Sequence, residues 1–247
     1  MKSLLKLAYS QSFDLVRYLY SDLNLNFEIN FSKNKISFYG NDETPLVAIK
    51  IPLAFNLKSK ENIFEKNISV GKEIPPFMIM LIQAGNAALG FIKNGKIVQH
   101  KVIRKYMVRK KQGKAQISYL KRKGKSRAGS RIRLAESVEF FEEINQKMRE
   151  WQNIDSPKSI IFNCTPYLWG WLFRSKPPPF FSKKDPLLLK LPIDVNIPNL
   201  KELERAADFA KHGYMNFHPN CPGDIKENMQ TYLKLKIFTD DFLQLTE

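Results

Sequence analysis

The segment FMIMLIQAGNAALGFIKNGKIVQHKVIR, residues 77–104, contains the central strands of the predicted fold. It begins with a continuous apolar run over residues 77–83, which is typical of a strand buried on both faces. Residues 87–92 and 96–102 predict two further strands. Two dipeptides that accept positive φ separate the three strands and predict tight hairpin turns: Gly85-Asn86 and Asn94-Gly95.

Beyond residue 133 the sequence alternates helical and strand patterns. Apolar residues at 134, 138, 141, 144, 148 and 151 predict a long helix over 134–152. Shorter patterns follow it: a strand at 159–163, a helical turn at 167–173, a strand at 187–191 and a helix at 198–211. This alternation predicts an α/β fold, a mixed sheet flanked by helices.

The N-terminal part is a smaller unit with its own pattern. Residues 1–22 predict a helix, and alternating apolar residues predict three strands of a small antiparallel meander: 26–31, 35–39 and 46–51. A polar stretch ending at Pro75-Pro76 then suggests a boundary. We therefore expect an α+β accessory module at 1–72, the α/β domain at 73–215, and a C-terminal tail at 216–247 whose role stays unassigned.

The positive charge is concentrated in one segment. The 247-residue chain has a formal net charge of +16, and residues 96–133 contribute 15 Lys or Arg with no Asp or Glu. Residues 1–95 carry a net charge of +3 and residues 134–247 a net charge of −2. Such local charge predicts a site for a polyanion and not a generally basic surface.

Nucleic acid suits the basic segment better than a membrane. No apolar run reaches the roughly 18 residues that span a bilayer. Surface binding usually needs a bulky apolar face, whereas the large apolar residues between 112 and 131 are few: Ile117, Tyr119 and Leu120. The two cysteines, Cys164 and Cys221, are too few for a disulfide framework. We expect a cytoplasmic protein without a membrane partner.

The middle of the basic segment is a slim, neutral tip. Gly113, Lys114 and Ala115 are slim in backbone or flexible in side chain, and the Gln116 amide both donates and accepts hydrogen bonds. A cationic arm with such a tip could enter a crevice walled by RNA. A loop that only binds phosphates explains the charge equally well.

Two ligand patterns elsewhere are weaker. Gly124-Lys125-Ser126 lacks the earlier glycine and the preceding strand of a phosphate-binding loop. His212, His218 and Cys221 lack a fourth zinc ligand at suitable spacing. We expect neither a cofactor nor a metal.

Three motifs together carry a family resemblance. They are His100-Lys101 followed by YMVRKKQGKAQ at 106–116, SRAGS at 126–130, and the stretch 184–192 leading into the helix near residue 200. On these motifs, residues 77–213 resemble the release-factor-like domain of the ribosome quality-control peptidyl-tRNA hydrolases. That family is related to the catalytic domain of eukaryotic and archaeal peptide release factors. Its tip ends in Gly-Gly-Gln or Gly-Ser-Gln, whereas this chain has Ala115 before Gln116. If the active loop needs positive φ there, Ala115 costs about 1 kcal/mol and slows the reaction.

The resemblance implies hydrolysis of peptidyl-tRNA on a stalled or split large ribosomal subunit, with the loop inserted into the peptidyl transferase centre. The implied catalytic residues are Gly113, Lys114, Ala115 and Gln116. The residues expected to contact transfer or ribosomal RNA are Lys101, Arg104, Tyr106, Arg109, Lys110, Lys111, Arg127, Arg131 and Arg133. We expect a ribosome-associated monomer. Two alternatives stay open: an endonuclease that cuts the tRNA near its 3′ end, and a non-catalytic RNA-binding, ribosome-associated factor.

Overall fold

The structure is a computed structural model that describes residues 4–57, 73–105 and 127–244. The chain divides into two compact units, one formed by Met1–Pro75 with Asp208–Glu247 and the other by Pro76–Ala207. The modules expected at 1–72, 73–215 and 216–247 stay a prediction.

The helices and strands follow in chain order: β1 (Leu5–Leu7), α1 (Tyr9–Arg17), β2 (Asn26–Asn30), β3 (Lys35–Tyr39), β4 (Pro45–Lys50), β5 (Phe77–Gln83), β6 (Asn86–Lys93), β7 (Lys96–Arg104), α2 (Arg127–Ile154), β8 (Ser159–Cys164), α3 (Pro166–Leu172), β9 (Leu188–Lys190), α4 (Leu200–Lys211), β10 (Gly213–Phe217) and α5 (Gly223–Gln244).

The first unit contains a five-stranded antiparallel sheet in the order β1-β10-β4-β3-β2. The predicted meander is confirmed as β2, β3 and β4. Two expectations were wrong. Residues 5–7 form a strand instead of a helix, because β1 pairs with β10. Residues 213–217, for which the sequence predicted no strand, form β10 itself.

Gly213 allows β10 to lie close to α1. A Cβ at this position would stand 2.2 Å from the Ser12 hydroxyl oxygen. Ser12 is fully buried, and its hydroxyl donates a 2.8 Å hydrogen bond to the Ala8 carbonyl, which fixes it there. A residue larger than glycine would therefore push helix and strand apart.

The second unit contains a five-stranded mixed sheet in the order β7-β6-β5-β8-β9. Strands β5, β6 and β7 form an antiparallel meander, while β8 runs parallel to β5 and β9 parallel to β8. The continuous apolar run at 77–83 is confirmed as β5, which lies at the centre of the sheet. Its residues from Phe77 to Ile82 are all buried.

Helices cover both faces of this sheet. On one face, buried side chains of β5 and β6 pack with those of α2; the cluster includes Met78, Met80, Leu89, Phe140, Phe141, Ile144 and Met148. On the other face Leu203 of α4 approaches Gly90, where a Cβ would lie 3.0 Å from the leucine side chain. The predicted α/β class, a mixed sheet flanked by helices, is confirmed, as is a smaller α+β unit that contains the N-terminal residues.

Two boundaries differ from the prediction. The first hairpin turn uses Ala84 and Gly85 (φ 78°) instead of Gly85-Asn86, since Asn86 already pairs with Gln83. The long helix begins at Arg127, seven residues before the predicted start at 134. Its first two turns carry no apolar period in the sequence, so the pattern could not mark them.

Candidate nucleic-acid interface

The basic segment leaves the sheet at the end of β7 and returns at the start of α2. The predicted tip, Gly113, Lys114, Ala115 and Gln116, lies outside the described residues, as do Tyr106, Arg109, Lys110 and Lys111. Arg127, Arg131 and Arg133 belong to the first two turns of α2, but their side chains also lie outside the description. We call residues 106–126, between β7 and α2, the arm; the described part of the candidate site is therefore the base of the arm.

The outgoing end of the arm is tied to the sheet. Strand β7 lies at the sheet edge and pairs with β6 up to Arg104 opposite Asn86. Beyond that pair the Lys105 amide donates a 3.0 Å hydrogen bond to the Gly85 carbonyl in the β5–β6 turn. Pairing therefore continues to the last described residue before the arm.

Two cations at this base contact acids on α2. The Lys101 ammonium lies 3.3 Å from a carboxylate oxygen of Glu143, and the Lys105 ammonium lies 3.0 Å from Glu139 and 3.5 Å from the second oxygen of Glu143. Side chains alternate along a strand, so Lys101, Ile103 and Lys105 share one face. Ile103 is buried in the α2 core, which brings both lysines within reach of the helix.

These ion pairs keep Lys105 protonated. Its hydrogen bond to the Glu139 carboxylate raises the pKa of Lys105 above its ordinary value, and the charge of Glu143 adds to the effect. Lys105 therefore braces β7 against α2. Because the Lys105 side chain is only 26% exposed and its carboxylate partners stand beside it, less of its charge reaches an outside phosphate.

Arg104 lies on the opposite face of β7 and lines a different surface. With Val102, Asn199, Leu200 and Lys201 it lines an open groove of about 600 Å³ between β7 and the start of α4. Arg104 and Lys201 are exposed, and neither forms an ion pair with any residue that the structure describes. This groove offers two uncompensated cations next to the point where the arm departs.

Sequence reasoning missed part of this base. The sequence did not predict Glu139 or Glu143 as part of the site, and Lys105 and Lys201 were not predicted as contacts. A signal existed, because Lys101 and Lys105 share a strand face and Glu139 and Glu143 share a helix face. Using it requires knowing that α2 packs on β7.

The described residues offer no alternative reactive centre around a thiol or a metal. Burial raises the pKa of Cys164 to about 12, so this thiol stays protonated and is a poor nucleophile. Among the residues in view, His, Cys, Asp and Glu side chains form no group of three that could hold a metal ion. Nor does any helix within those ranges have the length and apolarity to cross a membrane.

Comparisons with known proteins agree with the α/β unit. Residues 77–215 match the family model of the Bacteroidetes VLRF1 release factor, which covers more than half of the chain. No curated protein matches. Among solved structures, the Vms1 mitochondrial localization core aligns over 83% of both chains with 14% identity and a TM-score of 0.44, a similarity that by itself assigns no function. The family match confirms the predicted resemblance to release-factor-like proteins of ribosome quality control.

Proposed function

Because this chain belongs to the Bacteroidetes VLRF1 release factor family, we propose that it hydrolyses peptidyl-tRNA on stalled or split large ribosomal subunits. The family match carries the proposal, since it spans residues 77–215 and so includes the whole basic segment 96–133. Hydrolysis would release the nascent chain. A ribosome-associated location follows from the same membership.

The chemistry is attack of water on the ester that joins the peptide to the terminal adenosine of the tRNA. The water oxygen bonds to the carbonyl carbon, the bond from that carbon to the ribose oxygen breaks, and the ribose oxygen takes a proton. A backbone N–H near Gln116 would stabilise the oxyanion, an effect typically of about 3 to 4 kcal/mol per donor. The Gln116 side chain would orient the water.

The general base would come from RNA. Between Lys101 and Arg133 the sequence has no His, Asp or Glu, so the arm itself offers no ordinary base. A ribose hydroxyl of the substrate or of the peptidyl transferase centre could fill this role. The chain then contributes placement, through Gly113, Lys114 and Ala115 at the tip, and charge.

The described base of the arm supports a positioning role. Lys101 and Lys105 hold β7 against α2 through Glu139 and Glu143. Arg104 is exposed at the point where the arm leaves the sheet. A braced base limits the volume that the tip can sample, which lowers the entropy cost of placing Gln116 at the ester. The cations at 109–111 and at 127, 131 and 133 would contact phosphates around it.

Release of nascent peptide from isolated large subunits carrying peptidyl-tRNA tests the proposal. We expect Gln116→Ala to lower the release rate by about 100-fold or more, as when a reacting group is misplaced, because it removes the side chain that orients the water, and to leave subunit binding within about twofold. Gln112→Ala is the matched control, because it removes the same amide from the same segment and should retain release. Equal release by the wild type and Gln116→Ala would refute the catalytic role.

The released tRNA separates the alternatives. Ester hydrolysis leaves a full-length tRNA with a free 3′-terminal diol, whereas cleavage of a phosphodiester leaves a shortened tRNA and a peptide still joined to nucleotides. Binding without either product would identify a non-catalytic ribosome-associated factor.

A further inference from the structure

The connection between α3 and β9 carries a second basic cluster. We name residues 173–187 the proline strap, after Pro177, Pro178 and Pro179. Residues 134–247 hold 14 basic and 16 acidic side chains, and four of the basic ones fall within 174–184, where there is no Asp or Glu. These four strap cations are all exposed: Arg174, Lys176, Lys183 and Lys184.

A buried amide holds the first half of the strap. Asn145 is fully buried on α2, and its side-chain nitrogen lies within hydrogen-bond distance of three acceptors: the Leu172 carbonyl at 2.9 Å, the Ser175 hydroxyl at 2.7 Å and the Pro177 carbonyl at 2.9 Å. The Ser175 hydroxyl in turn donates to the Leu172 carbonyl at 2.9 Å. The Arg174 and Ser175 amides also donate to the Trp171 carbonyl. The backbone that bears Arg174 and Lys176 is therefore fixed from beneath.

The second half of the strap is fixed by a guanidinium and by aromatic packing. Arg149 of α2 donates to the Pro178 carbonyl at 2.7 Å and to the Pro179 carbonyl at 3.0 Å. Phe181 is buried against Trp169 and Phe173. Lys183 lies 5.5 Å from the centre of the Phe173 ring. Such packing presents the cations from a preorganised backbone, which lowers the entropy cost of binding.

The strap cations contact no acid among the residues that the structure describes. Within the ranges that the structure describes, none of the four forms an ion pair. Asp185, the acid that follows them, accepts a 2.9 Å hydrogen bond from the Leu187 amide and so belongs to the turn before β9. Unpaired charge of one sign on a fixed strap favours a polyanionic partner.

The strap and the arm connect to opposite edge strands of the mixed sheet. The arm leaves from β7 and the strap enters β9, and these two strands are separated by four strand spacings, or about 19 Å at the usual spacing. Helix α2 links them, because it begins where the arm returns and its later turns carry Asn145 and Arg149. Phosphates bound at both edges would fix the orientation of the unit and not merely its position.

We propose that the proline strap is a second RNA-binding surface, at which Arg174, Lys176, Lys183 and Lys184 contact the phosphate backbone of ribosomal RNA. We take the polyanion to be RNA because the other basic edge serves the ribosome, so this assignment rests on the proposed function. An anionic membrane suits the strap less well, since its large apolar side chains, Phe173, Phe180 and Phe181, are buried or half-buried and leave no apolar face for lipid.

The test compares binding of three full-length proteins to purified large ribosomal subunits over a series of salt concentrations. They are the wild type, a strap variant with all four strap cations changed to Gln, and a charge-matched control in the first unit: Lys33→Gln, Lys50→Gln, Lys226→Gln and Lys234→Gln. The loss of four phosphate contacts should make the negative slope of log binding constant against log salt concentration shallower by about 3.6. Between about 50 and 200 mM salt the wild type should therefore lose about 100-fold more affinity than the strap variant. The control should follow the wild type.

Three parallel readouts make the result decisive. Thermal unfolding checks that the strap variant folds, which we expect because the changed side chains are exposed. Binding to vesicles that contain anionic lipid is the second readout. A strap variant that binds subunits as the control does overturns the proposal. A strap variant that binds subunits normally but no longer binds the vesicles also overturns it. Peptide release by the wild type and Gln116→Ala is measured alongside. Loss of release with Gln116→Ala but no effect of the strap variant on binding refutes the strap alone.

Discussion

At the β7 edge of the mixed sheet, Lys101 and Lys105 each contact a carboxylate on α2, whereas at the β9 edge the four strap cations contact none among the described residues. Both edges are basic in sequence. At the first edge the two lysines link β7 to α2. At the second edge Asn145, Arg149 and buried aromatic side chains hold the strap instead. The strap cations thus keep their charge uncompensated by any described acid.

A count of Lys and Arg therefore overestimates the positive charge that a surface offers to a bound phosphate. A lysine that stands beside a carboxylate adds little net charge at the distance of an approaching phosphate. Arg104, which has no acidic partner within the described ranges, and Lys101, three residues away, should therefore behave differently although both were predicted to contact RNA. Three kinds of substitution test this difference. They change the residue that supports the strap, single cations of the β7 edge, and Lys105, which links β7 to α2.

The largest effect is expected from Asn145→Ala. The change removes the buried donor of the Pro177 carbonyl, leaves the Leu172 carbonyl with only the Ser175 hydroxyl as donor, and opens space beside them. The free energy of unfolding should therefore fall by about 3 kcal/mol. Chemical denaturation measures this loss. Asn153→Ala, at an exposed position near the end of the same helix, is the control and should change stability by less than about 0.5 kcal/mol.

Proteolysis sharpens the same prediction. Trypsin cuts after Lys and Arg, so a strap released from Asn145 should be cleaved within 174–184 faster than in the wild type under native conditions. Equal cleavage of the wild type and Asn145→Ala in this range would mean that Asn145 does not hold the strap.

The sequence predicts the elements whose structure depends on their own residues, and it misses those that depend on contacts with distant parts of the chain. The run at 77–83 predicts β5 at its observed limits, because burial on both faces leaves an uninterrupted apolar stretch. Strand β10 escapes prediction, since five residues between two helices become a strand only through pairing with β1 and β4, both far away in sequence. For the same reason the sequence predicts the β1 residues as helix.

The base of the arm shows the same limit. The charge of residues 96–133 predicts a polyanion partner, but not which cations are already paired. That Lys101 meets Glu143 depends on α2 crossing β7, and this packing follows from the buried face of Ile103, Phe140 and Ile144. The strap support is hidden for the same reason, because a single Asn in a helix does not reveal that three acceptors, at the end of α3 and in the loop after it, converge on it.

A smaller effect is expected from single charge removals at the β7 edge. Arg104→Gln should lower the salt slope of subunit binding by about 0.9 and weaken binding severalfold, as for one lost phosphate contact. Lys101→Gln should have less than half that effect on the slope, because Glu143 already offsets this charge. Binding across a salt series measures both. Equal slopes for the two variants would mean that the Lys101–Glu143 pair opens on the ribosome and that both cations contact phosphate.

The smallest effect concerns the brace and its dependence on pH. The pKa of Lys105 in the folded chain is raised above its ordinary value of 10.5, because the hydrogen bond to Glu139 favours the ammonium form. The stabilisation from this pair is therefore complete below about pH 10 and disappears as the pH rises through the folded-state pKa. Because the carboxylates are partly exposed, the contribution should be under about 1 kcal/mol.

Lys105→Arg isolates this small term from all other alkaline titrations. Arginine stays charged well beyond the range in which lysine titrates, so the variant keeps its charge at position 105 while the wild type loses it. The difference in unfolding free energy between the two proteins should be flat from about pH 8 to 10 and should then shift toward the variant up to about pH 11.5. A difference that stays flat over the whole range would show that Lys105 gains nothing from Glu139 and Glu143. In that case the contacts between Lys105 and the α2 carboxylates would not stabilise the β7 edge. The contrast between this edge and the strap, whose cations contact no described acid, would then lose its physical basis.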